Sequence, residues 1–249
     1  MYRATEGEQM KRKLKYGGFA LGIVILFLIV TVKFVEDDSW NAWNLPLSGK
    51  VVVLDAGHGG MDGGANIGNV MEKDIALNVT LKLRDYLQEQ GALVILTRED
   101  DSDLAAKDTK GIYLRKSEDL RKRVELINES EADLFLSIHL NAFPSKSSKG
   151  AQTFYTKRYE ENEQLAKFIQ AEIIRNLENT SRYAKTINRV YLMDYAKKPG
   201  ALVEIGFLSN AEERERLVKE EYQEQIAASV YKGVLRYLTE EKITEKEEP

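Results

Sequence analysis

Hydrophobic positions divide the chain into two unlike stretches. The first is one uncharged run from Tyr16 to Val32, holding Phe19, Leu21, Ile23, Val24, Ile25, Leu26, Phe27, Leu28, Ile29 and Val30 with no polar face. As a helix it spans about 25 Å, just short of a hydrocarbon core of about 30 Å. Lys33 can snorkel, so Phe34 and Val35 lengthen the span, and residues 16–35 are the predicted membrane anchor. The second stretch begins near residue 50. Short apolar runs alternate there with longer segments of helical period.

Residues 50–55 (KVVVLD) are rich in β-branched side chains and bounded by glycines, which predicts a buried strand. Residues 72–90 predict a helix, with Ile75, Val79, Leu83 and Tyr86 on one face and Gly91 as the stop. Further strands are predicted at 93–97, 133–139, 151–155, 190–193 and 201–205. Helices are predicted at 114–130, at 160–179 with Leu165, Phe168, Ile169 and Ile173 inward, and at 221–238. Strands separated by helices imply an α/β fold, with a mostly parallel sheet covered on both faces. In such sheets, sites form just beyond the carboxyl ends of the strands.

The flanks of the first run orient it. Lys11, Arg12, Lys13 and Lys15 precede it and Glu36, Asp37 and Asp38 follow, which places the N-terminus in the cytoplasm and the remaining chain outside. A cleaved signal peptide fits less well, because the run is long and no A-x-A site follows. A buried core helix also fits less well, because the run is apolar all round and opens with four cations. The expected organisation is a basic tail at 1–15, the anchor at 16–35, a linker at 36–49, a catalytic domain at 50–239 and a charged tail at 240–249. In the linker, Trp40 and Trp43 suit either a bilayer interface or a cap on the folded domain.

Composition narrows the chemistry. The 249 residues suffice for one substantial domain plus a tail, at roughly 100–200 residues per domain. A net charge of −4 argues against nucleic acid as a partner. There is no cysteine, which excludes disulfides and thiolate metal sites. There are only two histidines, His58 and His139, and both fall at the carboxyl ends of predicted strands. A single histidine is more often structural; two out of two at one sheet edge point to a site. Two imidazoles with a carboxylate make a typical catalytic zinc set. Glu72 opens the helix after the glycine-rich loop and can turn back toward His58, although a first-turn glutamate also suits the helix dipole. Glu204 interrupts the apolar run ALVEIGF, where a carboxylate is costly unless paired, ligated or functional.

Four segments, LDAGHGG (54–60), MEKD (71–74), SIHLNA (137–142) and VEIGFLSN (203–210), resemble the zinc amidases of the Amidase_3 family, in the family's order. The resemblance covers about residues 50–238. It implies a six-stranded sheet with flanking helices and an N-acetylmuramoyl-L-alanine amidase acting on peptidoglycan. It further implies one Zn²⁺ held by His58, Glu72 and His139, with Glu204 as the catalytic glutamate. Asn141 and Arg98 lie in family-like stretches and are candidates for positioning substrate. The anchor, the linker and the segments YLQEQGALV and DLRKRVELINESEADL resemble still more closely a branch of the family from endospore formers. That branch implies muramic δ-lactam formation in the spore cortex, with a deacetylase or an activator lipoprotein as partners in the pathway. The expected location is then outside the cytoplasmic membrane, in the forespore intermembrane space. Two rivals stand beside this reading: a zinc peptidase acting within the stem peptide, and a wall-binding module without catalysis.

Overall fold

The computed structural model describes residues 6–36 and 45–239, with the side chains of residues 6, 8, 9 and 30–36 left out. The linker tryptophans and the charged tail at 240–249 lie outside the described residues. The chain forms two compact units, Met1–Leu45 and Pro46–Pro249. The first contains helix α1 (Glu6–Glu36). The predicted anchor falls within α1, but its last residues have no described side chains. Among the described residues, no helix is long and apolar enough to cross a membrane.

The second unit alternates strand and helix. In chain order it contains β1 (Val51–Ala56), β2 (Asn66–Ile67), β3 (Val70–Met71), α2 (Glu72–Glu89), β4 (Leu93–Leu96), α3 (Ile112–Glu129), β5 (Leu134–Asn141), β6 (Gln152–Tyr155), α4 (Glu160–Leu177), β7 (Lys185–Thr186), α5 (Tyr191–Tyr195), β8 (Gly200–Phe207), α6 (Ala211–Leu217) and α7 (Glu220–Leu238). Six strands form one sheet in the order β4-β1-β5-β8-β6-β7, and β2 pairs with β3 as a small separate ribbon. Only β6 against β8 is antiparallel in the large sheet.

One correction concerns residues 190–193. The sequence suggests a strand there, but Tyr191–Tyr195 form the short helix α5. Helical spacing brings the Tyr191 and Tyr195 rings together at 4.6 Å and turns Leu192 and Met193 into the core.

The two sheet faces differ. On one, Val52, Leu54, Leu134, Leu136, Ile138, Ala201, Val203 and Ile205 are buried beneath α2, α4 and α7. That face is apolar along its whole length, which suits complete cover by helices. On the other, Val53, Phe135 and Leu202 pack with Val124 and Ile127 of α3 and Leu192 and Met193 of α5. Two residues further along the same strands, that face becomes Asp55, Ser137 and Glu204. Side chains alternate with a period of two, so these polar groups share the face of the second cluster. The apolar half is covered, and the polar half meets the loops at the strands' carboxyl ends.

Candidate active site

Strand β1 delivers the chain into Gly57-His58-Gly59-Gly60. His58 has φ +62, a left-handed conformation that costs a non-glycine residue about 1–3 kcal/mol unless its surroundings enforce it. Two buried arginines enforce it. Arg123, 1% exposed, donates to Ala56 O at 2.7 Å and His58 O at 2.6 Å. Arg98, 4% exposed, donates to Ala56 O and Gly57 O at 2.9 Å and to Lys73 O at 2.8 Å. The loop carbonyls therefore end on guanidinium groups, not in water.

Arg123 is itself neutralised by two carboxylates. It reaches Asp55 Oδ1 at 2.6 Å and Asp119 Oδ2 at 2.9 Å. Asp55 also accepts from Thr97 Oγ1 at 2.9 Å and Ser137 Oγ at 2.5 Å. Burial alone would raise the Asp55 carboxyl; Arg123 first, then His139 and the Ser137 hydroxyl, outweigh it and hold the group below its ordinary value.

Above this layer, His58, Glu72 and His139 converge. One ligand atom from each lies within 4.8 Å of the others, and the set could hold a metal ion. Glu72 Oε1 lies 3.2 Å from His58 Nε2 and 2.9 Å from His139 Nδ1. The carboxylate is fixed by Leu140 N at 2.9 Å and Ala65 N at 2.8 Å. The imidazole rings meet edge to face, 5.0 Å apart. The close approach dictates Gly57, where a Cβ would stand 2.4 Å from His139 Cε1.

His58 has a second partner. Its Nδ1 lies 2.9 Å from Asp62 Oδ2, which also receives Lys116 Nζ at 2.8 Å. Nδ1 is thereby committed, and Nε2 faces the convergence point. A carboxylate behind a histidine in this way fixes ring orientation and tautomer. Burial disfavours the imidazolium, but Asp62 and Glu72 outweigh it and raise the His58 pKa to about 9. Glu72 is held well below the usual carboxylate range by the two histidines, against the effect of its burial.

Glu204 stands beside His139 in the register of β5 and β8. Its Oε2 is buried with no hydrogen-bond partner among the described residues. Burial raises its pKa to about 7, the nearby His139 acting the other way. An unpartnered buried carboxylate oxygen beside a cluster of donors is costly to keep, which marks it as a working group.

The four principal candidates from the sequence thus meet at one place. Asn141 lies half-buried at the end of β5, two residues from His139. Arg98 lies beneath the loop, with its donors on the carbonyls of Ala56, Gly57, Lys73 and Asp100. Its guanidinium is thus spent on the backbone of the loop and the start of α2. Asp55, Asp62 and Arg123 were not singled out from sequence. Asp62 carried a usable signal, a carboxylate four residues after His58 inside the glycine-rich loop.

The match of residues 52–236 to a family model described as N-acetylmuramoyl-L-alanine amidase (Amidase_3) covers most of the second unit. The chain is 58% identical over 231 residues to the germination-specific N-acetylmuramoyl-L-alanine amidase of Bacillus subtilis, spanning 93% of this chain and 98% of that protein. Among solved structures it resembles the CwlD amidase from Clostridioides difficile in complex with the GerS lipoprotein. That match has a TM-score of 0.75 and 44% identity and covers 77% of this chain and all of that one. An N-acetylmuramoyl-L-alanine amidase from Clostridium difficile 630 matches with a TM-score of 0.67 and 31% identity, over 76% of this chain and 96% of that one.

Two substitutions separate the layers of the site. Arg123→Met leaves Asp55 and Asp119 buried without their cation and should cost about 3–5 kcal/mol in urea unfolding. Asp62→Asn should leave that stability near wild type and weaken binding of a divalent cation by about 10–100-fold in a chelator competition. Unchanged cation affinity in Asp62→Asn would remove the orienting role.

Proposed function

The chain belongs to the N-acetylmuramoyl-L-alanine amidase family, and on that premise we propose that it hydrolyses the amide between the lactyl group of N-acetylmuramic acid and L-alanine in peptidoglycan. The observation that carries this reading is the partnerless Glu204 Oε2 beside the His58–Glu72–His139 set.

The donor set suits zinc, since two imidazoles and one carboxylate converge and Glu72 is held ionised. His58 through Nε2, Glu72 through Oε1 and His139 through Nδ1 would hold the ion. When bound, zinc supplies a Lewis acid that polarises the carbonyl and acidifies water. Glu204 then accepts a proton from the attacking water and delivers it to the departing nitrogen of L-alanine. A carboxyl raised to about 7 by burial serves both transfers near neutral pH. The Asp62 carboxylate keeps His58 aimed, and the arginine-held loop keeps it in place.

Relatives guide the biological reading. The Bacillus subtilis relative is germination-specific by name. We infer the same setting here, with peptide removal preparing muramic acid for δ-lactam formation in the spore cortex. A deacetylase would act on the product, and a lipoprotein like that bound by the Clostridioides difficile relative is a candidate partner. Helix α1 would anchor the chain, with its catalytic unit in the forespore intermembrane space. Its basic start and apolar run support that orientation.

Four outcomes are expected. Wild-type digests of purified wall should release intact stem peptides with N-terminal L-alanine by mass analysis; cleavage inside the stem would instead favour a peptidase. In the same assay, Glu204→Gln should lower the rate on the order of 10²-fold or more while zinc content stays near one per chain. Loss of zinc in that variant would make Glu204 a ligand. Spores made without this chain should have a cortex lacking muramic δ-lactam, and normal lactam content would set the cortex role aside. When the chain is produced in vegetative cells, where its exterior side faces the medium, protease added to intact protoplasts should digest the second unit, and protection would reverse the orientation of α1.

A further inference from the structure

The sheet register extends the site beyond Glu204. His139 pairs with Glu204 across β5 and β8, and Glu204 pairs with Gln152 across β8 and β6. Directly paired residues share a face, so the three form one row. The neighbouring row is Leu202, Phe154 and Lys185. Phe154 packs with Leu202 in the second core cluster, which fixes the face. Lys185 therefore leaves the sheet on the side of Glu204, one strand beyond Gln152.

Arg182 sits beside Gln152. Its guanidinium lies over the Phe207 ring, 5.4 Å from the centroid. Nε and Nη2 are each 3.3 Å from Lys149 O, and Nη1 is 3.5 Å from Gln152 Oε1, all long for hydrogen bonds. Among the described residues, neither Arg182 nor Lys185 has a carboxylate within ion-pair distance. Arg115 and Arg123, by contrast, are each matched to an aspartate. Arg182 is half-buried and Lys185 exposed, so two cations without an ion-pair contact among the described residues border the Glu204 side of the sheet, Arg182 also acting through space on the buried Glu213 carboxyl.

The mechanism gives this border a direction. Glu204 returns its proton to the departing amine, so the peptide side of the scissile bond lies toward Glu204. Residues after L-alanine then run over Gln152 toward the β6–β7 edge. Adjacent strands are about 4.8 Å apart, which puts β7 about 10 Å from Glu204. An extended peptide advances about 3.3–3.6 Å per residue, so a third residue reaches the level of Lys185 on β7, and Arg182, beside Gln152 one strand nearer, lies within reach of the second.

We propose that Arg182 and Lys185 form a subsite for a carboxylate carried by the peptide just after L-alanine. The proposal rests on the amidase reading and adds to it the recognition of an acidic stem. A guanidinium supported on an aromatic ring, with its Nε edge turned to a carbonyl, still offers Nη1 and Nη2 for a charge-assisted contact with a carboxylate. Lys185 adds a point charge that a longer or flexible acid can reach.

The test uses the full chain loaded with zinc and two synthetic N-acetylmuramoyl peptides. In one, the residue after L-alanine bears a free carboxylate; in the other, the matching carboxamide. Wild type should prefer the acid by about tenfold or more in kcat/KM, mainly through KM, as charge-assisted hydrogen bonds allow. Raised salt should shrink that ratio. Arg182→Gln and Lys185→Gln should each move the ratio toward one, and Arg182→Lys should recover part of it. Reading a ratio within each protein removes any loss of folded enzyme. Equal cleavage of both peptides by wild type, or a ratio unmoved by both substitutions, overturns the subsite. A wild type that frees no alanine-terminated peptide from either substrate sinks the amidase reading itself.

Discussion

A guanidinium group with almost no exposure holds this site together. Arg123 joins three structural elements at once: the carboxylate at the end of β1, the carbonyls of the following loop, and Asp119 one helical turn behind it on α3. A charge is tolerated so deep only because its donors are matched. The match runs both ways. Without the loop carbonyls the guanidinium would be under-satisfied, and without the guanidinium the carbonyls would face each other with nothing between them. The left-handed conformation of His58 is a consequence of that mutual dependence, and the direction of its imidazole follows.

The same economy shapes the sheet. One strand surface serves as core near its beginning and as chemistry near its end, the change occurring within two residues on β1, β5 and β8. Helices α3 and α5 set apolar residues on the first part, and α3 sets Arg123 against Asp55 in the second. An α/β sheet with a complete second layer would have buried Glu204 entirely, at a cost that no partner among its neighbours offsets.

Much of this was legible beforehand, and the rest was hidden for identifiable reasons. Runs such as KVVVLD and ALVEIGF mark central strands because both faces of such strands are apolar where helices cover them. The two histidines and Glu204 stood out as polar interruptions at strand ends. Residues 190–193 were ambiguous, because four apolar residues fit either period. Strand β7 is two polar residues on an edge and carries no hydrophobic signal. Helix α3 was misleading in a subtler way. Its leucine at 114 is exposed, while its buried face includes Asp119 and Arg123. Nothing in the string RKRVEL says which cation points inward, since that depends on Asp55, sixty-eight residues earlier.

The contact between Gly57 and His139 binds the histories of two positions. While an imidazole occupies 139, only a hydrogen fits at 57, since a methyl carbon would stand 2.4 Å from the ring. A gene copy that abandons hydrolysis and loses the ring is released from that restriction, and mutation can then fill the space. Once filled, restoring histidine at 139 alone no longer rebuilds the centre, because the way back requires two changes in order. Comparing these two positions across duplicated copies therefore separates working amidases from retired ones, and shows which of the retired could still return.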